Sequence, residues 1–182
     1  MTLALRFPTD ADETRVLELE AEISTENFSF LAGRTVDEEN TWADLLEAWR
    51  REHEGTDLPV DRVPADFLLA VVPDGAGTGE QIVGRASIRY GLTDYLLKYD
   101  GHIGYAVAPE HRRKGYATEI LRQSLALLAA RGVERALVTC DEDNVASYRT
   151  IEACGGMLEN IVDGPDGIPK RRYWVDLGHR VN

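Results

Sequence analysis

The chain has 182 residues, 43% of them hydrophobic, with 32 acidic against 20 basic side chains and a formal net charge of -12. That length and apolar content suit one domain, residues 1–182, with a real core, and no apolar run reaches the roughly 18 residues that a membrane-spanning helix needs. So acidic a composition argues against general nucleic-acid binding, which requires a basic footprint; it suits a cationic substrate or simply an acidic surface.

The start, MTLALRFPTDADE, has neither a basic head nor a long apolar stretch, so no signal peptide is expected. Leu3–Phe7 reads as a short strand, and Asp10 as the cap of a helix carrying Val16, Leu17, Leu19 and Ile23. NFSFLAGRTVDEEN breaks that helix. A second helix is predicted from about Val36 to Glu52, with Trp42, Leu45, Leu46 and Trp49 on one face. Pro59 and Pro64 then mark a loop. FLLAVV and QIVGRASIRYG are strands, and the turn-rich PDGAGTGE between them makes an antiparallel hairpin. HIGYAVA is a strand, and YATEILRQSLALLAARG a helix with apolar or small residues at Ala117, Ile120, Leu121, Ser124, Leu125 and Leu128. RALVTC is a strand, and NVASYRTIEACGG a short helix stopped by two glycines. MLENIV and RRYWVDL close the chain as a hairpin around DGPDGIPK. The order β-α-α-β-β-β-α-β-α-β-β is that of an α+β or mixed α/β domain with a central sheet.

The chemistry concentrates in GHIGYAVAPEHRRKGYATEIL. Here His111, Arg112, Arg113 and Lys114 stand in a row in an acidic protein, followed at once by Gly115 and a helix. A helix start leaves backbone N–H groups unpaired and carries about half a positive charge, which makes it a site for phosphate. Gly115, with no Cβ, lets the backbone approach such a ligand, and Ala117 keeps the first turn small. Arg112, Arg113 and Lys114 add charge at the entrance. A solvated basic turn would explain the charge run alone, but not the strand, turn, glycine and helix together. GxxxxGK[ST] is absent, and Gly115-Tyr116-Ala117 lacks the G-x-G-x-x-G spacing.

Arg112-Arg113-Lys114-Gly115-Tyr116-Ala117 resembles the acyl-CoA motif of the GNAT superfamily of N-acetyltransferases, Arg/Gln-x-x-Gly-x-Gly/Ala. YAVAP resembles that family's fourth strand, and the element order fits nearly the whole chain. The resemblance implies a GNAT-like, mostly antiparallel twisted sheet flanked by helices. It also implies acetyl-CoA as acyl donor, with Ala106, Val107, Arg112, Arg113, Lys114, Gly115, Tyr116, Ala117 and Thr118 at its site. DNVASYRTIEACGG resembles a second family motif, placing Asn144 and Ser147 near the pantetheine; a helix N-cap is the other reading of Asn144. With RRYW it also resembles a little-characterised branch of predicted acetyltransferases. Many relatives carry a tyrosine seven residues after the Asn as general acid. Here that position is Ile151, and Tyr148, one turn earlier, is the substitute or a packing residue.

Direct attack by a primary amine of a small molecule or peptide is the reaction this resemblance implies. The amine must lose a proton, and the thioester oxygen needs N–H donors, one of them from the strand near Val107. His102 has the right pKa range for the base, or is a structural histidine. Strand alternation sets His102, Gly104 and Ala106 on one side and Ile103, Tyr105 and Val107 on the other. Asp141, Glu142 and Asp143 are further candidates, or solvated acids. Residues 20–66 are expected to bind the acceptor. Trp42 and Trp49 line its cleft or pack a helix, and Glu20, Glu22 and Glu26 receive an ammonium or are surface charge. Ile151 also supports a different reading, a catalytically weak acyl-CoA-binding module that senses or regulates. Cys140 and Cys154 form no CxxC and read as reduced core residues of a cytoplasmic protein. His53, His102, His111 and His179 show no metal-ligand spacing, so no metal is expected. Neither nucleic acid nor membrane is expected as a partner, and a homodimer is admitted.

Overall fold

The computed structural model describes residues 2–26, 28–75 and 79–178; His179 and the middle of the PDGAGTGE turn lie outside them. In chain order the elements are β1 (Ala4–Arg6), α1 (Glu13–Ser24), α2 (Trp42–Glu54), β2 (Ala65–Pro73), β3 (Glu80–Arg89), β4 (Ile103–Val107), α3 (Tyr116–Ala130), β5 (Arg135–Asp141), α4 (Val145–Ala153), β6 (Met157–Asp163) and β7 (Pro169–Asp176). The ladders are antiparallel, and they form two sheets, β1-β2-β3-β4 and β5-β7-β6. The single central sheet expected from the sequence is thus divided. Its halves meet at one bridge between Gly101 and Val138.

The near-continuous apolar run of β2 follows from burial on both faces. Phe67, Leu69 and Val71 point into a core built with Val16, Leu19 and Ile23 of α1 and Trp42, Leu45 and Trp49 of α2. Leu68 and Ala70 point the other way, into a core with Ile120, Leu121 and Leu128 of α3. Trp42 and Trp49 are each 3% exposed; Trp49 stacks on Phe67 at 4.1 Å and Trp42 donates its Nε1–H to the Thr9 carbonyl. Their helix-packing role is therefore met.

Two helix starts differ from expectation for identifiable reasons. The cap expected at Asp10 lies at Thr9, with Asp12 as its reciprocal partner: Asp12 Oδ2 accepts from the Thr9 N–H and hydroxyl while Arg6 forks onto both Asp12 oxygens at 2.8 Å. A 3-10 turn over Asp10–Asp12 precedes α1. The second helix begins at Trp42, not Val36. Thr41 accepts the Asp44 N–H, and Asp44 Oδ2 accepts the Thr41 N–H in return, a reciprocal cap that fixes the first turn. Asp37 meanwhile accepts the N–H groups of Glu39 and Asn40 and keeps the preceding residues in a turn.

A π-helical turn, Leu96–Asp100, leads into β4. It ends at Gly101, with φ 67° and an ideal Cβ that would lie 2.5 Å from the Leu137 carbonyl oxygen. Only glycine allows the two sheets to come that close.

Candidate active site

The division of the sheet exposes one edge of β4. Arg89 N–H donates to the His102 carbonyl and Ala108 N–H to the Val83 carbonyl. The even-numbered residues of this segment therefore face β3, and the backbone groups of Ile103, Tyr105 and Val107 point to the opposite edge. No ladder joins that edge to β5 among the described residues. It is a row of donors and acceptors ready to pair with an extended ligand. Val107 is placed there as expected, its carbonyl accepting from Arg112 Nε at 3.3 Å. Ala106 is not: its backbone pairs with Arg85 of β3 and its side chain is buried in the α1/α2 core. Tyr105, passed over in the sequence, takes its place. Strict two-residue alternation from Val107 was the signal that could have found it.

Beyond β4, a 3-10 turn over Pro109–His111 leads to α3. Arg113 (φ 60°) and Gly115 (φ 84°) are both left-handed, and a Cβ on Gly115 would meet nothing within 4 Å. No side chain caps α3, and the first N–H of the helix to be used is that of Glu119, donated to the Gly115 carbonyl. The N–H groups of Tyr116, Ala117 and Thr118 therefore have no partner among the described residues and point outward for an anion. The basic side chains divide. Arg112 forms a bidentate pair with Glu26 at 2.9 and 2.8 Å, which ties the turn to the end of α1. Lys114 Nζ donates to the Glu110 carbonyl, with its charge exposed. Arg113 is exposed and has no bond or ion pair among the described residues.

Asn144 caps α4, its Oδ1 accepting the Ser147 N–H at 3.0 Å. That meets the capping reading and leaves the amide N–H₂ for another acceptor. Ser147 Oγ lies 2.9 Å from the Tyr105 hydroxyl, so α4 is tied to β4 by side chains. Burial pushes the Tyr105 phenol up to about 12, which keeps it protonated at neutral pH. Tyr148 is half-buried, with Arg171 stacked 4.7 Å from its ring. Ile151 is fully buried in the core.

His102 is not arranged as a base. It is 6% exposed, and its Nδ1 accepts the Leu137 N–H at 2.9 Å while its own N–H donates to the Leu137 carbonyl at 2.7 Å. With Nδ1 accepting, the neutral ring carries its proton on Nε2, so no lone pair remains for a substrate proton. Burial also holds its pKa below the ordinary value. His102 is the side-chain fastening between the two sheets. Two of the three carboxylates at the end of β5 are paired, Asp141 with Lys170 at 2.6 Å and Glu142 with Arg171 at 3.5 Å, and Asp143 is exposed. Glu20 accepts the Leu31 N–H, Glu22 lies 3.5 Å from Arg15, and Glu26 holds Arg112. None of the three is arranged for an ammonium.

On the α2 side of the sheet a groove of about 680 Å³ runs between α2, β2, β3 and the π turn. Trp49, Phe67, Ser87 and Arg89 form its floor and wall, so Trp49 both packs the helix and borders this space. Glu52 is paired with Arg34 and Arg62, and Asp66 accepts from Tyr90 and contacts His53, each at 2.6 Å. Asp61, Asp94 and Asp100 reach the same groove without an ion pair among the described residues.

The family model of the GNAT acetyltransferase domain matches residues 2–157. The chain belongs to the GNAT acetyltransferase family. The N-acetyltransferase YjdG of Bacillus subtilis, itself uncharacterised, is 36% identical over 59 residues, 32% of this chain and 35% of that protein; the match spans about a third of that relative. Among solved structures, yncA of Salmonella typhimurium with acetyl-CoA superimposes with a TM-score of 0.64 at 17% identity, covering 100% of this chain and 98% of the other. RimJ of Mycobacterium smegmatis with CoA-disulfide gives 0.70 at 17%, over 96% and 81%. The microcin C7 self-immunity acetyltransferase MccE, solved with acetyl-CoA and AMP, gives 0.65 at 19%, over 96% and 92%. At these identities the structural likeness is one of fold. Within the GNAT fold, the open edge of β4, the start of α3 and the Asn144 amide at the cap of α4 each keep donors without a partner among the described residues.

Proposed function

We propose that this protein transfers the acetyl group of acetyl-CoA to a primary amine by direct attack of the amine on the thioester. The observation that carries the reading is the combination of an unpaired β4 edge with an uncapped α3 N-terminus at the end of the same chain segment. A linear amide-bearing arm fits the first, and a pyrophosphate the second.

The fit to acetyl-CoA rests on residues rather than on overall likeness. The N–H groups of Tyr116, Ala117 and Thr118 would hold the pyrophosphate, helped by the charges of Arg113 and Lys114. Tyr105 and Val107 would hold the pantetheine by their backbone, and the Asn144 amide would donate to it. The thioester supplies an activated acyl carbon when bound. A β4 N–H on the open edge is the donor toward its oxygen as negative charge develops there. The amine enters from the α2-side groove, where Asp94 and Asp100 are the unpaired carboxylates nearest β4 in sequence. With His102 committed to Leu137, the amine proton leaves through this groove, to one of those carboxylates or to water. The Tyr105 phenol, kept protonated by burial and held by Ser147, joins β4 to α4, and we assign it as proton donor to the departing thiolate.

The test is acetyl-CoA binding by calorimetry, followed by free-thiol release across a panel of amines. Binding with amine-dependent thiol release is expected. The buried Ile151 favours a second reading, an acyl-CoA-binding module of weak catalysis. Tight binding with no thiol release from any amine would select it, and absence of CoA binding would remove both readings.

A further inference from the structure

Two arginines of β3 lie on the groove side of the sheet without a carboxylate partner. Arg85 and Arg89 are four residues apart, so they share a face, with Ser87 between them. Arg85 is 3% exposed; Nε donates to the Phe30 carbonyl and Nη2 to the Ser29 carbonyl, each at 3.0 Å. Its Nη1 makes no hydrogen bond among the described residues and lies against β4: a Cβ on Gly104 would stand 3.3 Å from it. Arg89 lines the groove with Ser87, and among the described residues its side chain makes one bond, 3.4 Å to the Gly101 carbonyl. Neither forms an ion pair among the described residues. Burial pushes the Arg85 guanidinium down to about 9 and holds Arg89 below its ordinary value; the charge of Arg89 lowers Arg85 further. Buried Arg85 meets two carbonyl dipoles and the Phe28 ring, whose centroid is 5.5 Å from its guanidinium carbon, and half-buried Arg89 meets one carbonyl; neither has a carboxylate in contact among the described residues.

The surrounding acids act on the pair without contact, Glu20 on Arg85 and Asp100 and Glu52 on Arg89. Glu52 is held by Arg34 and Arg62, and Asp66 by His53 and Tyr90. Asp100 attracts Arg89 without forming a contact pair. Asp61 and Asp94 lie in the same groove, unpaired among the described residues. The groove therefore carries both signs, the half-buried charge of Arg89 on β3, with Arg85 on the same face of the strand, and exposed negative charge on the loops. That pattern matches a dipolar molecule rather than a simple amine.

We propose that the acceptor is an amine that also carries a carboxylate, and that the carboxylate seats on Arg89 and the Ser87 hydroxyl in the field of Arg85. Its ammonium faces the Asp94 and Asp100 side before the proton is lost. This rests on the acetyltransferase reading above and narrows it to amino-acid-like acceptors. The guanidinium fork suits a carboxylate by two parallel N–H donors, and the missing side chain of Gly104 lets the Arg85 guanidinium lie against β4 at the inner end.

The experiment measures acetyl-CoA-dependent thiol release by the full chain with the common amino acids, each beside its α-amide. For every acceptor that turns over, the acid should exceed its amide in kcat/KM by ~10–100-fold, the weight of a charge-assisted hydrogen bond. Arg89→Gln should bring that ratio to near one without changing acetyl-CoA affinity. A binding arm needs no turnover: N-acetylglycine should raise the unfolding temperature and N-acetylglycinamide should not. Equal rates for acids and amides, or equal thermal shifts, overturn the proposal while leaving acetyl transfer intact. A preference for succinyl-CoA over acetyl-CoA that disappears in Arg89→Gln would also overturn it, since the anion would then belong to the acyl donor. Loss of the parent reading shows separately, as absence of acetyl-CoA binding in calorimetry.

Discussion

Single positions decide how the donor end of the site works. At Gly115 the backbone is left-handed and its surroundings are open, so a side chain is accommodated in space but strained in conformation. Gly115→Glu should cost on the order of 1 kcal/mol of stability and place negative charge beside the free N–H groups of α3. The variant should remain folded by circular dichroism while its acetyl-CoA affinity falls at least about tenfold; unchanged affinity by calorimetry would remove the α3 terminus as the phosphate site. Tyr105 and Tyr148 permit a direct comparison. Tyr105→Phe should lower kcat by on the order of 10²-fold with little effect on acetyl-CoA affinity, as loss of a proton donor does, and Tyr148→Phe should be nearly silent. The reverse ranking would give the role to the hydroxyl beneath Arg171. Equal, near-normal rates would leave thiolate departure to water, which a thiol of pKa about 8.5 permits.

At the scale of elements, periodicity made most of the fold legible. The strand and helix order was readable because β2 is apolar on both faces, α3 keeps its three- and four-residue rhythm, and α4 ends at two glycines. What escaped depends on side-chain contacts that no periodicity announces. The start of α2 turns on Thr41 and Asp44 capping each other rather than on where the apolar stripe begins. The π turn over Leu96–Asp100 has no periodic signature, and the place where the divided sheets still touch is set by Gly101 against Leu137, 36 residues away. The site was legible to the same degree. Gly115 and the α3 start were visible as a pattern, whereas the commitment of Arg112 to Glu26 joins positions 86 residues apart. That pairing separates the basic side chains of the turn. Arg113→Ala and Lys114→Ala should each weaken acetyl-CoA binding in low salt, with the deficit shrinking as salt is added. Arg112→Ala should instead act mainly by releasing the segment around Glu26. If all three variants respond alike to salt, Arg112 is a phosphate ligand rather than chiefly a tie to Glu26.

For the whole molecule, the joint between the two sheets is the feature most sensitive to pH. Besides the bridge at Gly101 and Val138, it contains His102, which exchanges two hydrogen bonds with the backbone of Leu137. Burial holds the folded-state pKa of His102 below the ordinary 6.5. His111, 7% exposed, is lowered for the same reason. The unfolded chain therefore takes up protons that the folded chain resists, and by linkage the unfolding free energy falls as pH drops below about 6.5, continuing to the depressed folded values. Depressed carboxylates such as Asp12, held down chiefly by Arg6, act with the same sign, but their contribution is lost only below their own unfolded pKa of 3.8. The two windows are thus separable. Urea unfolding between pH 8 and 5 should show stability decreasing across the histidine window. His102→Gln tests the joint itself, because the Gln side-chain oxygen can accept from Leu137 without titrating. Its stability should vary less with pH than that of the wild type, with the remaining slope due to His111. His102→Ala should be the less stable of the two at pH 8, since it leaves the buried Leu137 N–H unpaired at a cost of ~1–3 kcal/mol. An unchanged pH slope in His102→Gln would show that the fastening does not carry the acid sensitivity. A kcat/KM profile that loses a limb near 6–7 in His102→Gln, at unchanged stability, would return His102 to the chemistry.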